Sequence, residues 1–140
     1  MAKTHPRRIQ VVLAVIERRG RYLICQRRSG DDLGGYWELP GGKRLVGETW
    51  ESCLRREVRE ELGVSVRLLR RLGAMRYRYP EKLVSFQVFR CAISQGEPRP
   101  LAARTLRWVR PGGLSRYRFP PANRLLVGRL SALRPFVDVV

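Results

Sequence analysis

Gly42-Lys43-Arg44-Leu45-Val46-Gly47-Glu48-Thr49-Trp50-Glu51-Ser52-Cys53-Leu54-Arg55-Arg56-Glu57-Val58-Arg59-Glu60-Glu61-Leu62-Gly63-Val64 is the stretch that decides how this chain is read. The chain has only 12 acidic residues against 29 Lys and Arg, yet Glu48, Glu51, Glu57, Glu60 and Glu61 crowd into this one segment. Leu54, Val58 and Leu62 recur every four residues and Gly63 follows as a stop, which predicts a helix over Thr49–Leu62. On such a helix Glu57, Glu60 and Glu61 stand three and four apart and share one face, with the apolar ridge rotated aside to anchor it on a sheet. Three neighbouring carboxylates repel one another unless a cation neutralises them, and hard oxygen ligands select magnesium or manganese. The plainer alternative is a solvated helix face laced by ion pairs such as Arg56 with Glu60. The preceding Pro40-Gly41-Gly42-Lys43 favours the first reading, because glycine lets backbone approach a ligand closely. Its carbonyls could complete an oxygen shell, and Lys43 could meet phosphate as a point charge.

Working outward, Ile9 to Ile16 is an apolar β-branched run and Arg21 to Gln26 alternates, with Glu17-Arg18-Arg19-Gly20 reading as a hairpin turn. Gly30 to Gly35 reads as a polar loop and Trp37-Glu38-Leu39 as a short strand stopped by Pro40-Gly41-Gly42. Further strands are expected at Val64–Leu72, Val84–Ile93 and Thr105–Val109, with a loop from Gln95 to Ala103. Pro120-Pro121 introduces a second helix over about Ala122 to Leu133. Strands mixed with two helices predict an α+β domain, and 140 residues suit one domain spanning 1–140.

The bulk numbers exclude several classes. The hydrophobic fraction is 44%, enough for a real core, and no apolar run is long enough to span a membrane. The N-terminal segment is too short and too quickly followed by charge for a signal peptide, so a cytoplasmic protein is expected. Cys25, Cys53 and Cys91 are widely spaced, which supports neither a zinc site nor a disulfide framework. The single His5 lies in the N-terminal tail, leaving no imidazole for Ser–His or Cys–His chemistry. The chemistry therefore falls to carboxylates, a metal, or both. The net charge of +17 is that of a nucleic-acid binder, but the basic residues are scattered and nearly all arginine. A basic surface would equally steer a polyphosphate to a site.

From Gly42 the pattern reads Gly-x5-Glu-x7-Arg-Glu-aliphatic-x-Glu-Glu-x-Gly-aliphatic, which resembles the complete signature box of the Nudix hydrolases. Such a match arises by chance about once in 10⁹ starting positions. The flanking Gly35-Tyr36-Trp37-Glu38-Leu39-Pro40-Gly41-Gly42-Lys43 is similar to the segment that introduces the box in MutT-like members. The resemblance implies a mixed sheet between helices, with the box as loop–helix–loop. It also implies hydrolysis of a diphosphate linkage in a nucleotide-like substrate with Mg²⁺ or Mn²⁺. Glu57, Glu60 and Glu61 would be the metal ligands, helped by the Gly41 carbonyl. Glu48 would support them, Arg56 would hold the glutamates in register, and Glu57 is the candidate base, although family members differ in that role.

Downstream, Phe119-Pro120-Pro121-Ala122-Asn123 resembles a segment of MutT-like 8-oxo-dGTP diphosphatases, in which an Asn at the start of the last helix recognises the oxidised base. An amide offers both donor and acceptor to a base edge. The alternative gives Asn123 only a place in the first helical turn. Arg27 aligns loosely with an arginine that binds substrate there, whereas Phe86 and Phe89 suit the core better than base stacking. One departure matters. MutT-like relatives often supply a further acid just before the strand containing Trp108, and this chain has Leu106-Arg107 there, with no acid between Glu97 and Asp138.

The leading expectation is a pyrophosphohydrolase of a (deoxy)nucleoside triphosphate, with 8-oxo-dGTP, dCTP-like nucleotides, ADP-ribose and dinucleoside polyphosphates as candidate substrates. The competing class is a Nudix-like module that binds nucleotide or nucleic acid without cutting it, as in the C-terminal domain of adenine-mismatch glycosylases. Such a module would show a degraded box, and here every charged position is intact. A monomer or a homodimer suits the family.

Overall fold

The computed structural model describes residues 6–131. His5, Asp138 and the end of the second expected helix lie outside the described residues. The elements follow as β1 (Arg7–Arg18), β2 (Arg21–Gln26), β3 (Trp37–Glu38), β4 (Gly41–Lys43), α1 (Trp50–Leu62), β5 (Ser65–Arg78), β6 (Lys82–Gln95), β7 (Thr105–Val109), a 3₁₀ helix (Pro111–Arg116) and α2 (Pro121–Ser131). The expected hairpin is present: β1 turns into β2 through Arg19 (φ 52°) and Gly20 (φ 73°). Two successive positive φ values match the right-handed twist of the flanking strands.

The strands run β3-β2-β1-β6-β5, with β4 added on β1 and β7 on β2. β1 lies parallel to β6 and antiparallel to β2 and β4, so the sheet is mixed, as the α+β expectation required. Alternation along β1 builds two cores. Val12, Ala14 and Ile16 join Leu54, Val58 and Leu62 beneath α1. Leu13 and Val15 join Leu126, Val127 and Leu130 beneath α2. Successive strand side chains point to opposite faces, so one strand serves both layers. The sheet therefore lies between the two helices. Phe86 and Phe89 are buried in these cores, in keeping with their expected role.

Two expectations need correction. Pro40-Gly41-Gly42 does not simply stop a strand, because Gly41–Lys43 pairs with Val11–Leu13. Gly41 adopts φ 155°, and a β-carbon on it would run into the Val12 carbonyl, so only glycine permits this approach. The hairpin of β5 and β6 also runs well past the strands expected at Val64–Leu72 and Val84–Ile93. Register shifts at Leu68/Arg70 and Arg71/Gly73 break the period-2 pattern that would otherwise have marked the rest of β5. The 3₁₀ helix, rich in Gly and Pro, carried no periodic signal.

Candidate active site

The helix that carries the acidic cluster is capped at both ends. The Thr49 side chain accepts from Ser52 N, and Gly63, at φ 71°, closes the other end by donating to Arg59 O. Cys53, Leu54, Val58 and Leu62 are its buried stripe, which fixes the rotation and turns Glu57 and Glu61 toward β4. The contact there is close. The Glu57 carboxylate lies where a β-carbon on Gly42 would be. Gly41 N donates to Glu61 Oε1 at 3.2 Å.

Arg56 organises the rest. Its Nε and Nη2 form a fork on Glu48, at 2.6 and 2.9 Å. Nη1 donates to Glu57 Oε1 at 2.9 Å and to Glu60 Oε2 at 3.3 Å. Nη2 also donates to the Lys43 carbonyl at 3.0 Å, tying the helix to the end of β4. Glu48 in turn accepts from Leu45 N at 2.7 Å, closing the loop between β4 and α1. These contacts hold the Glu48 carboxyl at about 2, with the Arg56 hydrogen bonds the larger cause and the Leu45 N–H the next.

Glu61 is the opposite case. Burial pushes its carboxyl up to about 8, reinforced by the negative charges of Glu57 and Glu38 and opposed by the Gly41 N–H. Glu38 is the acid that sequence reading missed. It stands on β3 opposite Cys25, and its own carboxyl is raised, first by burial and least by Asp31, against the lowering effect of Arg27. The one available signal was alternation: Trp37 is buried in the α2-side core, so its neighbour must face the other way, toward α1.

The remaining expected residues are dispersed. Arg27 Nη1 pairs with Glu38 at 2.9 Å and its Nε donates to the Asp32 carbonyl at 2.6 Å, so two of its nitrogens are engaged within the protein. Lys43 is exposed at the end of β4. Arg107, where relatives often have an acid, lies over the Trp37 ring at 5.9 Å. Asn123 is buried in the first turn of α2, with 7% of its surface exposed. Its backbone N–H donates to Pro120 O, but its amide bonds to no other described residue. The three thiols are buried and free, and burial raises each of them, Cys53 to about 11. They have no part in the chemistry.

Comparison with known proteins bears directly on this helix and loop. The NUDIX domain profile matches residues 11–129, nearly the whole described chain. The chain belongs to the Nudix family. It is 35% identical over 123 residues to an 8-oxo-dGTP diphosphatase of Haemophilus influenzae, covering 87% of this chain and 90% of that one. It is 30% identical over 126 residues to a CTP pyrophosphohydrolase of Escherichia coli, covering 90% and 93%. Among solved structures, the solution structure of the E. coli ORF135 protein superposes with a TM-score of 0.79 at 29% identity, covering 92% of both chains. The protein is a Nudix hydrolase, and its α+β fold with a mixed sheet is that of its structural neighbours.

Nudix hydrolases generally use a divalent metal. Among the described residues no three acidic, His or Cys side chains converge as a ready-made cage, because Glu57 and Glu60 turn to Arg56 and Glu61 to Gly41 N. The donor chemistry nevertheless fits such an ion. All candidate ligands are oxygens, and the buried Glu61 sits in the negative field of Glu57 and Glu38. A divalent ion held by Glu57, Glu60 and Glu61 would neutralise phosphate charge and make water more acidic.

Glu61 also gives the metal-free protein a pH dependence. Its folded carboxyl titrates above the ordinary value near 4.5, so the folded state binds the proton more tightly than the unfolded chain. The resulting stability is fully present below that ordinary value and is lost as pH rises through about 8. A ligand at a hundredfold excess over its Kd contributes about 2.7 kcal/mol, roughly 5–10 °C in Tm for a domain of this size. We expect Mg²⁺ or Mn²⁺ to raise Tm by that much above pH 8 and clearly less near pH 5.5. Glu61→Gln should flatten both the pH slope and the metal effect. Thermal scans showing an unchanged metal shift in Glu61→Gln would remove Glu61 from the ligand set.

Proposed function

We propose that this Nudix hydrolase adds water across a phosphoanhydride bond of a (deoxy)nucleoside triphosphate, releasing monophosphate and pyrophosphate, with Mg²⁺ as its ion. The observation that carries this reading is the Arg56-centred carboxylate set pressed against the Gly41-Gly42 backbone. In the reaction Glu57 takes the proton of the attacking water, Arg56 holds Glu57 and Glu60 against α1, and Glu48 anchors Arg56. Lys43, exposed at the loop, meets the phosphates as a point charge. A non-catalytic module has no use for so complete an arrangement. Three buried thiols suit a reducing compartment such as the cytoplasm.

For the base, we place an oxidised guanine at Asn123. The Asn123 amide has no protein partner among the described residues, and a base edge supplies both halves of its hydrogen bonding. No fully buried side-chain oxygen or nitrogen among the described residues lacks a partner, so the amide tip keeps access to a ligand. The relatives named above act on different bases, which makes a panel decisive. With Mg²⁺ present, 8-oxo-dGTP should show the highest kcat/KM against dGTP, CTP, dCTP, ADP-ribose and a dinucleoside tetraphosphate, with 8-oxo-dGMP and pyrophosphate as products. Asn123→Ala should cut the preference for 8-oxo-dGTP over dGTP by about tenfold or more, the value of one or two lost base-edge hydrogen bonds. A CTP maximum would move the substrate assignment to the cytosine nucleotides. Unchanged selectivity in Asn123→Ala would return that residue to helix packing.

A further inference from the structure

A second concentration of unusual chemistry lies at the far end of the sheet from the glutamates. Pairing of Tyr22 with Val109 brings the tip of the β1–β2 hairpin against the segment that leaves β7. Between them is a groove of about 760 Å³, lined by Arg19, Arg21, Arg110 and Arg116 with Trp108 and Tyr117. Arg19 is six residues along the chain from Leu13, which pairs with Gly41, or roughly 20 Å in extended backbone. None of the box glutamates lines the groove.

Among the described residues its charge is uncompensated. The nearby carboxylates are already engaged elsewhere, Glu17 by Arg90 at 2.7 Å and Glu97 by Arg18 at 3.0 Å. Among the described residues, Arg19, Arg21, Arg110 and Arg116 have no acidic partner. Four exposed guanidiniums that repel one another around a cleft are relieved by an anion, and their planar forks match phosphate oxygens. The aromatic content narrows the class. Tyr117 is partly exposed in the groove wall, whereas the Trp108 ring already lies under the Arg18 guanidinium at 4.3 Å and packs toward the α1-side core. Tyr117 meets the buried Trp37 edge-on at 5.0 Å, which holds its ring in place. A bare phosphate chain has nothing to place on such a ring, whereas a base stacks on it.

We propose that this groove binds single-stranded nucleic acid, its phosphates on Arg19, Arg21, Arg110 and Arg116 and a base against Tyr117. Among the described residues the groove has no acidic or amide side chain, and its arginines are committed to phosphate, so binding is tolerant of sequence and steep in salt. The groove shares no lining residue with the glutamate cluster, and the proposal does not depend on the substrate assigned there.

The test is fluorescence anisotropy with a labelled oligothymidylate of about 12 nucleotides, titrated with the full chain between about 50 and 200 mM salt. Arg110→Glu with Arg116→Glu should weaken binding at least tenfold and flatten the slope of log K against log salt by about 1.4, two contacts at about 0.7 each. Arg76→Glu with Arg78→Glu, an equal charge change on exposed β5, should alter affinity less than twofold, and both pairs should keep wild-type nucleotide hydrolysis. Equal weakening by the two pairs would overturn the proposal in favour of bulk charge. Inorganic polyphosphate of matched charge should displace the probe at least tenfold less well than unlabelled oligothymidylate. Equal displacement would overturn it in favour of a site for bare phosphate chains.

Discussion

Glu57→Gln is expected to lower kcat by about 10³-fold, within the range a positioned general base contributes, with little change in Tm. Glutamine keeps the volume that fits against Gly42 and keeps an oxygen to accept from Arg56 Nη1, so the helix and loop hold their places. What it loses is the negative charge, and with it both proton acceptance and one candidate metal ligand. A neutral amide cannot take a proton from water, so raising the pH should not restore the rate. The measurement is steady-state hydrolysis of the best substrate from the panel beside a thermal scan. A variant with normal kcat would remove Glu57 from the chemistry. Normal folding with no turnover would separate the catalytic loss from a structural one.

Arg56→Ala should be the most damaging change to the site as a structure. It deletes the fork on Glu48, the contacts to Glu57 and Glu60 and the tie to the Lys43 carbonyl. Glu48 and Glu57 are each only 16% exposed at the side chain, so they would be left facing one another without compensation. Removing one member of a partly buried charge network costs roughly 2–4 kcal/mol, less than a fully buried pair because Arg56 is still 26% exposed. Arg56→Lys is the sharper test. An ammonium keeps the charge but cannot serve Glu48 through two parallel N–H groups while also reaching Glu57, Glu60 and a backbone carbonyl. We expect Lys to recover part of the stability, read as the urea midpoint, and almost none of the activity. Full recovery of kcat/KM by lysine would mean that charge alone, and not the fork, holds the glutamates.

Arg107 and Glu38 place the missing acid in context. The position before Trp108 carries an arginine lying over Trp37, while Glu38 brings a carboxylate whose charge acts on Glu61. The acidic field around Glu61 thus comes first from Glu57 and then from Glu38 on β3, and loss of the acid near Arg107 does not leave the cluster without a neighbouring carboxylate.

The amino-acid sequence by itself determined what depends on short range. Gly20 and Arg19 made the hairpin turn, Thr49 and Gly63 bounded α1, and the spacing of Leu54, Val58 and Leu62 set which face that helix buries. The same spacing put Glu57, Glu60 and Glu61 on neighbouring positions, and the box from Gly42 to Val64 identified the family. Each of these follows from torsional preference or from the 3.6-residue period, which act within a few residues. Tertiary structure decided the rest. Gly41–Lys43 became a strand only because β1 lies beside it, and β5 continued through bulges that erase its alternation. Glu38 acquired a raised carboxyl by being buried, with the field of Asp31 a lesser cause, and Asn123 became a buried residue in the first turn of α2. The arginines at positions 19, 21, 110 and 116 look scattered along the chain and meet only where β2 pairs with β7. Desolvation and field strength depend on distances in space between residues far apart in sequence, and those distances exist only once the chain has folded.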